Sequence, residues 1–169
     1  MTIHSDHPFL PPEDQRDAVR RLRGRLGAAV TLWTAGAPGH DRAGLTVSSL
    51  MVAGGEHGRV LALLDPDSDL CERLEETGVG LVHVLGLRHR DLADVFAGVT
   101  PSPGGMWLVG EFEDTPDGPR LRGAVAWARV RLESARDVGW SREVTCVVDE
   151  VEFGDDEDPL LHHRGRYLR

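Results

Sequence analysis

The sequence predicts a mainly β fold with a few covering helices, a small antiparallel β-barrel of the α+β kind. Three observations predict it. Runs with strand composition outnumber those with helical spacing. The cluster Gly36-Ala37-Pro38-Gly39-His40-Asp41 separates two such runs as a hairpin turn would. Near the C-terminus, Ala128, Val130 and Leu132 alternate with Arg129, Arg131 and Glu133, the pattern of a half-buried strand in an antiparallel sheet. A doubly wound dinucleotide fold is disfavoured, because Gly78-Val79-Gly80 lacks the third glycine of a phosphate loop.

The elements follow in order. Residues 1–12 are polar and proline-bearing and read as a flexible arm; residues 13–169 read as a single domain. From Glu13 to Leu26, the apolar residues Ala18, Val19, Leu22 and Leu26 recur at helical spacing, and Gly27 ends the run. The intervening Arg16, Arg20, Arg21, Arg23 and Arg25 read as a solvated helix face. Ala29–Ala35 is a strand and Leu45–Val52 its return. Val60–Leu64 is a continuous apolar run, as in a strand buried on both faces. Asp65-Pro66-Asp67-Ser68 opens a helix with Leu70, Cys71 and Leu74 inward. Leu81–Leu85 is a strand, and Arg90–Ala97 a helix with Leu92, Val95 and Phe96 on one side. Gly98–Gly118 reads as loop with a short strand at Met106–Val109. In the last long strand Val144, Cys146 and Val148 share one phase and Val151 and Phe153 the other, which predicts a bulge near Asp149 and Glu150.

Composition narrows the chemistry. The 169 residues carry a formal net charge of −9, which argues against a general nucleic-acid binder. The basic side chains are all arginine, so no lysine can form a Schiff base or serve a phosphate loop. No asparagine is present, which removes a Cys-His-Asn triad. The two cysteines, Cys71 and Cys146, read as free thiols in the core. No signal-like pattern opens the chain and no apolar run approaches a membrane span, so a cytoplasmic protein without a membrane partner is expected.

Among candidate sites, the histidines show no ligand-spaced cluster; His162 and His163 are adjacent and would face opposite ways on a strand. Ser48-Ser49 lies outside any nucleophile elbow, but with Thr46 it puts three hydroxyls on one segment, suited to bonding a polar ring or a phosphate. The tail His163-Arg164-Gly165-Arg166-Tyr167 is suited to an anion.

The order of these pieces resembles the flavin reductase-like, FMN-binding split-barrel family, from about Phe9 to Tyr167. The resemblance is carried by Gly44-Leu45-Thr46-Val47-Ser48-Ser49, Leu64-Asp65-Pro66-Asp67-Ser68, Asp91-Leu92-Ala93 with Phe96-Ala97-Gly98, Gly118-Pro119-Arg120-Leu121 with Ala126-Trp127, and Pro159-Leu160-Leu161 leading to His163-Arg164-Gly165-Arg166-Tyr167. It implies that Thr46, Val47, Ser48 and Ser49 line the flavin ring, that Asp65 and Ser68 lie near the ribityl-phosphate, and that Arg164 and Tyr167 lie by the flavin. A helix start at Ser68 agrees with that placement, since it offers free amides to a phosphate. Two positions depart from the family pattern. Asp69 and Leu70 stand where Arg or Lys, then Thr, is usual, and Gly139-Trp140-Ser141 stands where many members have Gly-Asp-His.

The function the resemblance implies is an NAD(P)H-dependent flavin reductase using FMN, with FAD as an alternative, supplying reduced flavin to a monooxygenase. It also implies a homodimer with the flavin near the subunit interface. The departures support a second reading, a non-enzymatic split-barrel binding module with weakened or absent flavin binding, acting as a carrier, a sensor or a dimeric interaction domain.

Overall fold

The structure, a computed structural model, describes residues 18–39, 41–155 and 158–168. The arm expected over 1–12 and the helix start expected at Glu13 lie outside those residues. The described elements are α1 (Ala18–Arg25), β1 (Ala28–Ala29), β2 (Thr31–Ala35), β3 (Ala43–Val47), β4 (Leu50–Ala53), β5 (Arg59–Leu64), α2 (Asp69–Thr77), β6 (Val79–Val84), α3 (Arg90–Phe96), β7 (Phe112–Thr115), β8 (Gly118–Leu121), β9 (Ala126–Val138), β10 (Ser141–Phe153), β11 (Leu161–His163) and β12 (Arg166–Tyr167).

Seven strands form one antiparallel sheet in the order β3-β2-β6-β9-β10-β5-β4. Its two edges are β3 and β4, yet only Ser48 and Ser49 separate these in sequence. A two-residue link cannot cross a flat seven-stranded sheet, whose strands lie about 4.8 Å apart. The sheet therefore curls into a barrel, and the link bridges its seam, where the Leu63 N–H donates to the Ser49 carbonyl at 2.9 Å. The return strand expected over Leu45–Val52 is thus two strands serving opposite edges.

Inside the curl, Trp33, Val47, Val60, Ala62, Leu64, Val130 and Val144 pack together. Helix α2 closes this interior with Leu70, Cys71 and Leu74. The Ser68 hydroxyl accepts from the Cys71 N–H at 3.2 Å, and left-handed Gly78 donates its N–H to the Leu74 carbonyl at 2.9 Å. Burying each of the two leucines contributes about 2 kcal/mol. A second apolar cluster lies outside the curl, where Leu92, Ala93, Val95 and Phe96 of α3 meet Leu32, Leu85, Leu121 and Leu160. Strand β2 therefore has both faces buried, Trp33 in the first cluster and Leu32 in the second. Its polar side chains are satisfied: Thr31 donates to the Val47 carbonyl at 2.6 Å and Thr34 to the Pro119 carbonyl at 2.7 Å.

Some expectations need correction. In β5, Val60, Ala62 and Leu64 are buried whereas Leu61 and Leu63 are not, so its inner face alone is core. Met106–Leu108 is a 3-10 turn, with Trp107 packed edge-on against Phe96 and Phe112. The hairpin of β7 and β8 lies partly in the stretch read as loop. Helix α1 ends at Arg25, one residue before Leu26, and Val19, Leu22 and Leu26 are each more than 60% exposed. The bulge predicted in β10 is present: the register with β9 shifts between Val148 and Glu150, and the skipped Asp149 accepts from both Arg129 and Arg131. Both cysteines are free and buried, as expected. No helix among the described residues is long and apolar enough to cross a membrane.

Candidate functional site

A cleft of about 840 Å³ opens along the seam. It falls in the size range of small-molecule sites. Its floor is Ser48 and Ser49, and its apolar wall is Leu50 and Met51 of β4 with Leu61 and Leu63 of β5. Those two β5 residues explain why Val60–Leu64 reads as apolar on both sides. One face fills the barrel and the other lines the cleft. Val138 and Glu143 border it from the β9–β10 hairpin.

The opposite wall is α1 and the C-terminal hairpin, which the backbone ties together. β1 pairs with β11, Ala28 opposite His162. The Arg164 N–H donates to the Gly24 carbonyl at 2.7 Å. From this wall Arg20, Arg21, Arg23, Arg25 and Arg164 line the cleft. Among the described residues none of the five has a carboxylate within ion-pairing distance. Glu143, the acid on the rim, is bonded twice to Arg136, which holds its carboxyl below the ordinary range. The cleft is thus cationic in a chain of net charge −9.

His162 also lines the cleft, its ring 5.8 Å from that of Tyr167. Burial, with Arg23 nearby, lowers its pKa, so it is neutral at pH 7. The Tyr167 hydroxyl donates to Asp94 at 2.6 Å, and Arg90 lies over its ring at 5.4 Å. Burial, followed by that hydrogen bond, raises the phenol pKa, so the hydroxyl stays protonated.

Of the residues singled out by sequence, the structure brings Ser48, Ser49 and Arg164 to one cleft. It turns others elsewhere. The Thr46 hydroxyl donates to the Ala93 carbonyl at 2.7 Å, pinning β3 to α3. Val47 is a core residue. Asp65 accepts from the Asp67 N–H at 2.9 Å and Ser68 caps α2, so both are engaged within their own turn. Tyr167 sits behind His162. The arginines of α1 were legible as a cluster but read as solvated; their density across one short helix was the available signal. His162 carried no sequence signal beyond its neighbour in the tail.

Chemically, a slot with apolar sides, a hydroxyl-bearing floor and a guanidinium wall suits a flat aromatic ligand with an anionic tail. The cysteines do not suit a nucleophilic role. The thiols are buried, which raises the pKa of Cys71 and pushes Cys146 up to about 12. Among the described residues no cluster could hold a metal ion.

The family model for the flavin reductase like domain matches residues 23–169. The chain is 31% identical to the FMN reductase (NADH) RutF of Ancylobacter novellus, over 95% of this chain and 86% of that protein. It is 27% identical to the 4-hydroxyphenylacetate 3-monooxygenase reductase component of Thermus thermophilus, over 91% of this chain and 96% of that one. The solved structure of an NADH:FAD oxidoreductase of Streptomyces globisporus, in complex with NAD and FAD fragments, superposes with a TM-score of 0.81 at 22% identity, covering 95% of each chain. That likeness is one of fold. Curled antiparallel sheet, domain match and identity agree, and the chain belongs to the flavin reductase like domain family.

Proposed function

We propose that the chain is an NAD(P)H-dependent flavin reductase that uses FMN, or FAD in its place, and supplies reduced flavin to a flavin-dependent monooxygenase. The observation that carries this reading is the seam cleft, whose donor set fits a flavin. Leu50, Met51, Leu61 and Leu63 offer apolar surface to a ring face. Ser48 and Ser49 offer hydroxyls to its polar edge, and the arginine wall offers charge to a phosphate. The relatives, an FMN reductase (NADH) and a monooxygenase reductase component, support the same cofactor, co-substrate and consumer.

When bound, the flavin supplies the two-electron acceptor for a hydride from the nicotinamide. The chain's part is binding and orientation. The serines would hold the polar edge of the ring, and the apolar wall would keep water from its face. His162 stands at the cleft wall as a hydrogen-bonding group.

We infer a homodimer in the cytoplasm, with no nucleic-acid or membrane partner. The exposed Val19 and Leu22 of α1 and Leu26 just after it, with the edge strand β4, support the dimer. The two free cysteines support a reducing compartment. The test is NADH or NADPH consumption by purified protein, followed by absorbance, with and without added FMN. Consumption that depends on FMN is the expected result; no flavin binding and no consumption sinks the reading. A second reading, a non-enzymatic split-barrel module with weakened or absent flavin binding, rests on Ser141, which opens β10 where many members have histidine, and on its neighbour Trp140, 93% exposed in the turn. Weak or absent flavin binding, with no NAD(P)H consumption, would select it.

A further inference from the structure

We propose that the phosphate of the bound flavin is held by the arginine wall of the cleft, Arg164 together with Arg21 and Arg25, and not by the start of α2. The proposal rests on the flavin reading above and assigns its charged end.

The start of α2 has few donors to spare. The Ser68 hydroxyl donates to the Asp65 carbonyl at 2.7 Å and accepts from the Cys71 N–H at 3.2 Å. The N–H groups of Asp67 and Ser68 are bonded within the same turn, at 2.9 and 3.1 Å. The surrounding charges are carboxylates, Asp65, Asp67, Asp69 and Glu72, each repulsive to a phosphate dianion.

The arginine wall is the reverse case. Several arginines elsewhere are spent on carboxylates: Arg59 on Glu133, Arg129 and Arg131 on Asp149, Arg136 on Glu143, Arg142 on Glu75. Among the described residues, Arg21, Arg25 and Arg164 have no such partner, and all three line one cleft. Arg21 and Arg25 are four apart on α1 and so share a helix face. Like charges so placed repel each other, and an anion between them removes the repulsion.

Arg164 carries a second mark. Its φ is +52°, and among the described residues it is the non-glycine residue in the left-handed region. With Gly165, φ +78°, it forms the two-residue turn between β11 and β12, where Asn or Gly is the preferred first residue. An arginine kept against that backbone preference points to a use for its guanidinium. Its N–H bond to Gly24 sets the turn against α1, next to Arg21 and Arg25.

The experiment titrates FMN and riboflavin separately into the full chain and follows flavin fluorescence. Riboflavin lacks the phosphate and controls for the ring. The proteins are wild type, Arg164→Asn, the double variant Arg21→Gln/Arg25→Gln, and Ser68→Ala. Under the proposal, wild type binds FMN more tightly than riboflavin. Arg164→Asn weakens FMN about tenfold or more, as loss of a charge-assisted bond should, with riboflavin unchanged. Its Tm is unchanged or higher, because asparagine suits the turn. The double variant acts in the same sense, and added salt weakens FMN but not riboflavin. Ser68→Ala lowers Tm through the lost cap but leaves the FMN-to-riboflavin ratio as in wild type. The proposal is overturned if the ratio ignores the arginine substitutions or collapses in Ser68→Ala. Equal wild-type affinity for both flavins overturns the phosphate site alone, whereas binding of neither overturns the flavin reading with it.

Discussion

His83 is fully buried and bridges two parts of the fold. Its Nδ1–H donates to the Leu32 carbonyl at 2.9 Å, and its Nε2 accepts from the Leu121 N–H at 3.1 Å. The second bond needs the neutral ring, and burial pulls the pKa from 6.5 down to about 4. The unfolded chain then takes up a proton near pH 6.5 that the folded chain refuses until about pH 4. Stability is full above pH 6.5 and falls as pH drops through that window, by about 3 kcal/mol in all. Urea denaturation at stepped pH should show this slope, and His83→Gln should flatten it; a variant with the wild-type slope would assign the loss to other groups. Histidine composition gave no hint of this role, because it depends on two backbone groups far away in sequence. The hydroxyl pair Ser48-Ser49 and the tail Arg164 were legible, since their residue types suit a polar ligand wherever the chain places them. The arginines of α1 were not, because a solvated helix face and a cationic cleft wall have the same pattern.

At the scale of elements, the hairpin of β2 and β3 was the clearest signal and is the most sensitive to change. Gly36 sits at φ +95°, and a Cβ there would run into the Asp41 carbonyl. Gly36→Ala should therefore destabilise the fold by more than 2 kcal/mol, well above an ordinary turn substitution. A chemical-denaturation midpoint within error of wild type would show that the turn can relax. Alternation found β9, β10 and the bulge at Asp149, because a phase change is a local property of sequence. It could not divide Leu45–Val52 at Ser48, since the break serves a closure that only the whole sheet dictates. Likewise Met106–Leu108 is apolar because Trp107 completes an aromatic cluster with Phe96 and Phe112, and a 3-10 turn does this as well as a strand.

For the whole molecule, the apolar residues of α1 raise the question of what covers them. Val19, Leu22 and Leu26, with Met51 and Val52 on the edge strand, are exposed in the single chain. Burying these side chains would contribute on the order of several kcal/mol. Sedimentation equilibrium at micromolar concentration should give twice the chain mass of 18.5 kDa. Leu22→Glu should shift it toward monomer, since a charge on the covered face is costly. A wild-type monomer would leave this surface to a different partner.

The two-serine link joining the opposite edges of the sheet makes the barrel behave like a clasp. Any small molecule bound in the cleft rests on that link and ties α1 to β4 and β5 beside it. Occupancy and closure are then one equilibrium, and ligand at a hundredfold excess over its Kd adds about 2.7 kcal/mol against opening. Amide hydrogen exchange should record this as slowed exchange at β3 and β4, the strands beside the clasp, before any change deeper in β9.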